Sequence, residues 1–290
     1  MTAREFIDYW DKTIKKWAEN DNVPEDGKVW FDDVYPKFPE GEKVWFEVNP
    51  KLKNWVKLMP EPYWGNPTEC SVVILNYNPA SSVKIDKSCD GHIGNKEDKT
   101  TSCGLMSEKY SEIAKSFPIL DKHLKCPYKC FGGVRWWKGR EKWIQQIIGI
   151  IKPEILKEDN IKPFALEICG WHSPSWNYIK IDDKIKNYLK QHLEGVIDEA
   201  INNSKVKIGL CIGQDFDKIL KIFGFEEFKP KTYGVIYEEG KGYKPKENIK
   251  RWFRVYHKTG GSFILNTHSE GSNQPPSKDF ETFERFLLNN

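Results

Sequence analysis

Ser71-Val72-Val73-Ile74-Leu75-Asn76-Tyr77-Asn78-Pro79-Ala80-Ser81-Ser82 is the stretch on which the fold turns. An apolar, β-branched run too short for a helix, closed by Asn-Pro, is the pattern of a strand buried on both faces, as in parallel sheets. Phe164–Cys169, Val206–Ile212 and Ser262–Leu265 repeat it. Helical patterns separate the runs. Ile185, Leu189, Leu193, Val196, Ile197 and Ala200 form one apolar stripe over Asp182–Asn202, Gln214–Phe223 is stopped by Gly224, and Ser277 caps a last helix carrying Phe280, Phe283, Phe286 and Leu287. Strand alternating with helix predicts an α/β sandwich with a central, mainly parallel sheet of four strands, and its active groups lie beyond the strands' carboxyl ends. Thr232–Tyr237 and Trp252–Tyr256, around a Gly/Lys-rich turn, predict an inserted β-hairpin. Ahead of the sheet, Phe6, Ile7, Trp10, Ile14 and Trp17 mark an amphipathic helix with Thr2 as N-cap. Asp21–Gly65 reads as an irregular arm, and residues 1–290 as a single domain with 1–65 as its N-terminal helix and arm.

Composition narrows the class. The 290 residues carry 45 Lys+Arg against 42 Asp+Glu, a net charge of +3, so the distribution of charge matters more than its sum. No apolar run approaches the ~18 residues of a membrane span, and the first residues lack a signal-peptide pattern. The seven cysteines are an odd number, consistent with reduced thiols. A cytoplasmic protein with no membrane partner and no obligatory protein partner is expected. Aromatic residues make up 14%, a content that suits either a large aromatic core or stacking on flat ligands.

Two strand ends carry the chemistry. The first run opens into Asn76-Tyr77-Asn78-Pro79, and the fourth into Asn266-Thr267-His268-Ser269, followed by a small polar loop able to lie along a phosphate backbone. Taken singly, the first would be a turn and His268 a structural histidine; their recurrence on one sheet favours a site. The second run ends in Cys169-Gly170-Trp171-His172-Ser173-Pro174-Ser175-Trp176, whose rings either stack on an extruded base or close the core.

With these residues in place, the chain from Glu61 to Asn290 resembles the uracil-DNA glycosylase superfamily. That superfamily has a strand followed by Gly-x-Asn/Asp-Pro, matched by Asn76-Tyr77-Asn78-Pro79 with Asn76 in place of glycine. A later strand is followed by His-x-Ser or a variant, matched loosely by Thr267-His268-Ser269. The resemblance implies a three-layer α/β/α sandwich, a flipped base and hydrolysis of its N-glycosidic bond without a cofactor or metal. By position, Asn78 holds the attacking water and His268 supports charge on the departing base or the cation-like sugar. Ala80 stands where uracil-specific members place a tyrosine against C5 of the base. A small side chain there leaves room for 5-substituents, up to glucosylated hydroxymethylcytosine. The asparagine that commonly reads the base after the second strand is absent; Trp171, His172 and Tyr77 are the base-binding candidates, and Ser81 and Ser269 are assigned to the DNA strand.

Between Lys115 and Gln145 lie eight Lys/Arg and two acids, a local +6, interleaved with Phe117, Tyr128, Phe131, Trp136, Trp137 and Trp143. Such a segment suits a phosphate backbone, with Arg135, Lys138 and Arg140 as contacts. Cys89, His92, Cys103, His123, Cys126 and Cys130 lie close enough for a metal site to be weighed, yet no CxxC pair occurs and none is assigned. The phosphate-binding G-x-x-x-x-G-K-[ST] and G-x-G-x-x-G patterns are missing, as is the G-x-S-x-G of serine hydrolases. The expected function is a DNA glycosylase leaving an abasic site, in repair or anti-phage defence. The alternatives are a non-catalytic nucleic-acid-binding module and a nucleoside hydrolase.

Overall fold

The computed structural model describes residues 1–18, 31–56, 60–77, 109–115, 143–157, 161–173, 175–228, 235–238, 242–245, 252–259 and 262–268. A capping box sets the first helix. Thr2 Oγ1 accepts the Glu5 N–H at 3.2 Å and Glu5 Oε2 accepts the Thr2 N–H at 2.7 Å. Helix α1 then runs Ala3–Ala18 and buries Phe6, Trp10, Ile14 and Trp17, the stripe its spacing predicts.

Nine strands form one mixed sheet among the described residues. They are β1 (Tyr63–Trp64), β2 (Val72–Asn76), β3 (Pro163–Glu167), β4 (Ile208–Ile212), β5 (Glu226–Glu227), β6 (Val235–Glu238), β7 (Gly242–Pro245), β8 (Trp252–Lys258) and β9 (Ser262–His268). The order is β1-β3-β2-β4-β9-β8-β7-β6, with β5 on β8. The centre, β3-β2-β4-β9, is parallel throughout and holds the four strands expected. The sheet extends beyond them because Tyr63–Trp64 adds an antiparallel edge to β3, and β8, β7 and β6 continue antiparallel from β9.

The expected hairpin is thus corrected. β6 turns back on Gly242–Pro245, inside the Gly/Lys-rich segment, while Trp252–Lys258 pairs along its length with β9. Backbone ladder bonds, which Gly242 can make and which Pro245 tolerates at a strand end, override the poor strand propensity of that segment.

Register assigns the faces. Val73, Leu75, Phe164, Gly209 and Ile264 share one face, and Val72, Ile74, Ala165, Leu210 and Leu265 the other. The side chains of both sets are buried, so both faces of the central strands are covered. A Cβ on Gly209 would lie 3.1 Å from Ile264 and 3.2 Å from Ile201, so the missing side chain is what allows the Ile201 helix to approach.

The arm is more ordered than its composition suggests. It holds α2 (Phe31–Val34), a 3-10 turn at Tyr35–Lys37, α3 (Glu40–Val48) and a 3-10 helix at Pro50–Trp55, with Trp45 and Phe46 buried. After it come α4 (Tyr110–Ala114) and α5 (143–151). The expected 182–202 helix is present but interrupted. Asp182 caps α6 (Asp183–Leu189), a π-helical turn covers Lys190–Glu194, and α7 (Gly195–Asn203) follows; α8 is Phe216–Ile222. The expected last helix, from Ser277, lies outside the described residues.

Glu42 of α3 is fully buried and accepts hydrogen bonds from Tyr9 Oη (2.9 Å), Tyr188 Oη (2.6 Å) and Trp171 Nε1 (2.7 Å). One carboxylate therefore ties α1, α3, α6 and the chain leaving β3. Burial raises its pKa, although all three donors act to lower it. The π turn brings His192 onto the same cluster, its ring stacked on Tyr188 at 4.3 Å and tilted against Tyr9 at 5.2 Å.

Burial, with a smaller contribution from the N-terminal ammonium, holds the His192 pKa down to about 4. A depressed imidazole pKa means that the folded state prefers the neutral ring. Its contribution to stability is complete above the ordinary value of 6.5 and is lost as pH falls through about 4. Thermal melting between pH 7 and pH 4 is expected to show a steeper decline for the wild type than for His192→Asn. Parallel curves would remove His192 from the acid sensitivity.

Candidate functional site at the carboxyl edge of the sheet

The central strands stay apolar until their last residues. Asn76 pairs in register with Glu167, and Ile212 with Thr267, so Asn76, Glu167 and Thr267 stand in one row across one sheet face. All three are buried. Asn76 Nδ2 donates to Glu167 Oε1 at 2.9 Å. The Thr267 hydroxyl has no hydrogen-bond partner among the described residues. Glu167, a carboxylate at the end of an interior strand, is the residue the sequence analysis passed over. Its signal was an acid closing an apolar run, since burial of a carboxylate is costly and is kept where the charge is used.

The β2–β3 ladder continues past these residues, with Ile168 N–H donating to Asn76 O (2.8 Å) and Cys169 N–H to Tyr77 O (2.9 Å). Tyr77 points to the opposite face. Phe216 stacks on its ring at 4.2 Å and Trp176 at 4.9 Å, and its hydroxyl accepts the Phe216 N–H at 3.3 Å. Gly213 makes room for it. At φ +127° it adopts a conformation that L side chains rarely take, and a Cβ there would fall 2.2 Å from Tyr77 Oη. Beside this stack, Asp217 receives Tyr256 Oη (2.5 Å), Asn266 Nδ2 (3.0 Å) and the Arg254 guanidinium, which locks α8 to β8 and β9.

The sequence-derived candidates fare differently. Tyr77 is at the edge, but two stacked rings already occupy it, so it serves as a pillar rather than a platform for a base. Trp171 is corrected from base stacker to core residue. It is 1% exposed, lies against Trp10, Phe38 and Phe46, and donates its indole N–H to Glu42. His172 is also interior, 2% exposed, with Nε2 3.6 Å from Glu61 Oε1; burial raises the Glu61 pKa and His172 opposes the rise. Ser175 caps the 3-10 turn that follows, Trp176–Tyr178, accepting the Asn177 N–H at 3.3 Å. Trp143 is likewise a buried residue of α5 and leaves the set of DNA-facing aromatics.

His268 is the last residue of β9, paired with Trp252, and its backbone leaves the same edge as Tyr77 with only β4 between them. Two strand spacings amount to about 10 Å. Asn78, Ala80, Ser81, Ser269, Arg135, Lys138, Arg140, the His268 side chain and the 89–130 Cys/His cluster lie outside the described residues. Among the described residues no cluster of His, Cys, Asp and Glu could hold a metal, and no helix is long and apolar enough to cross a membrane. Burial pushes the Cys70 thiol up to about 12 and raises that of Cys169, so neither is a thiolate nucleophile at neutral pH.

Compared with known protein families, curated protein sequences and solved structures, the chain matches none.

Gly213→Ala is expected to cost about 1–3 kcal/mol, through the strained φ and the collision with Tyr77. It should also alter the near-ultraviolet circular dichroism of the Tyr77–Trp176 stack. Urea denaturation and the spectrum of the folded variant measure the two effects.

Proposed function

We propose that the chain is a DNA glycosylase of the uracil-DNA glycosylase kind, on a three-layer α/β/α sandwich, which removes a 5-modified cytosine to leave an abasic site. The observation that carries this is the meeting of two strand exits at one sheet edge. β2 leads through Tyr77 into Asn78, and β9 leads through His268 into Ser269, with one strand between. Breaking an N-glycosidic bond develops positive charge on the sugar and negative charge on the base, so the two helpers must face one nucleotide from neighbouring loops. In this reading Asn78 orients the water that attacks C1′, being a poor base but an adequate hydrogen-bonding partner, and His268 stabilises the separated charge.

Glu167 supports an amino-bearing base. An ionised carboxylate only accepts hydrogen bonds, so it suits the exocyclic amine of a cytosine and opposes the carbonyl that uracil carries at that position. Ala80 leaves the volume beside C5 that a bulky substituent needs. Ser81, Ser269 and the basic segment containing Arg135, Lys138 and Arg140 then face the DNA strand.

Duplex and single-stranded DNAs carrying cytosine, uracil, hydroxymethylcytosine or its glucosylated form test this. Alkali-labile sites and the mass of the released base are the readouts. Release is expected from the glucosylated strand. Release of uracil alone would reject the modified-base assignment, and no labile site in any strand would reject the enzyme.

Asn78→Ala is expected to bind DNA nearly as the wild type does while abolishing base release in a single-turnover assay. Retained turnover would take Asn78 out of the mechanism.

A further inference from the structure

Beside the site lies a surface that the catalytic scheme does not use. Tyr178 is 49% exposed, more than any other large hydrophobic residue among those described, and Lys51 holds its ammonium 5.2 Å from the ring centroid. The two segments that bring them together are fixed to each other. Asn49, itself buried, accepts the Lys180 N–H on Oδ1 at 2.6 Å and donates Nδ2 to the Lys180 carbonyl at 3.2 Å. This pair of hydrogen bonds to the backbone of one residue holds the Pro50–Trp55 turn against residues 175–180. Lys51 and Lys180, the latter two residues on from Tyr178, are both exposed, whereas Lys53 is turned to Phe31, its ammonium 4.5 Å from that ring's centroid.

Among the described residues, the neighbouring acids are engaged elsewhere. Glu47 pairs with Lys184 at 3.0 Å, Asp183 pairs with Lys186 at 2.8 Å, and Asp182 caps α6. Two residues before Tyr178, Trp176 stacks on Tyr77, the residue that leads into Asn78. The surface therefore reaches the carboxyl edge through one ring contact.

We propose that Tyr178, with Lys51 over its ring and Lys180 two residues on, is a landing surface for the single strand of DNA flanking the extruded nucleotide. A base stacks on the exposed ring and the lysines hold the adjoining phosphates. An aromatic face set among cations at a fixed geometry matches the alternation of base and phosphate along a strand, whereas an acidic peptide would use the charges alone. The choice of DNA as occupant rests on the glycosylase reading; the placement of the surface does not.

Fluorescence anisotropy with a labelled single strand of about 15 unmodified nucleotides tests it. Tyr178→Ala should weaken binding about ten-fold, the loss of one stacked base. The paired change Lys51→Glu with Lys180→Glu should flatten the slope of log affinity against log salt by about 1.4, the share of two phosphates. Phe263→Ala, an exposed aromatic at the start of β9, is the control and should bind as the wild type does. Unchanged binding in the Tyr178 and lysine variants, equal loss in the control, equal displacement by polyglutamate of matching charge, or no binding by the wild type would each overturn the surface. Binding lost as expected, with no base released from any substrate, would uphold the surface and remove the glycosylase reading instead.

Discussion

Strand β2 is hydrogen-bonded on both edges and covered on both faces, and that constraint governs the rest of the molecule. A residue in such a strand meets only apolar neighbours and backbone, so Val72, Val73, Ile74 and Leu75 leave no place for a polar side chain until the strand ends. The same holds for β3 and β4. Polar and charged groups are pushed to one edge, where Asn76, Glu167 and Thr267 collect in a single row while Tyr77 and Asn266 face the other way. The site is in this sense a by-product of parallel packing: strands that run together must also end together.

What surrounds that edge is held by side chains far apart in sequence. Glu42 gathers Tyr9, Tyr188 and Trp171 onto one carboxylate, and Asp217 gathers Tyr256, Asn266 and Arg254 onto another. Each carboxyl group accepts several donors, which offsets the cost of withdrawing it from water. The Phe216–Tyr77–Trp176 stack does the corresponding work for apolar surface. It fastens the exits of β2, β3 and β4 to one another, with Gly213 supplying the space.

Legibility followed local physics. The four central strands, the capped first helix and α8 could be read because an apolar run between turn formers, a threonine N-cap and a terminal glycine each act within a few residues. Helix α3 could not, since nine residues containing Gly41 and three glutamates carry little periodic signal until Trp45 and Phe46 find the core. The β6–β7 pairing was missed because Gly-Tyr-Lys-Pro is a poor strand by composition, and only the ladder makes it one. Trp171 and His172 were misplaced for a different reason. An aromatic just past a strand reads the same in sequence whether it turns outward to a ligand or inward to Glu42.

By itself the sequence determined the parallel centre, its direction and the residues at its carboxyl ends, because burial on both faces and turn chemistry are properties of short contiguous stretches. Only the tertiary structure decided which of those residues meet. It set Glu167 beside Asn76, closed Tyr77 between two rings, withdrew Trp171 into the interior and fixed Lys51 over Tyr178. Such contacts depend on strand order and on partners as much as 139 positions apart, as between Tyr77 and Phe216, and no local pattern encodes them.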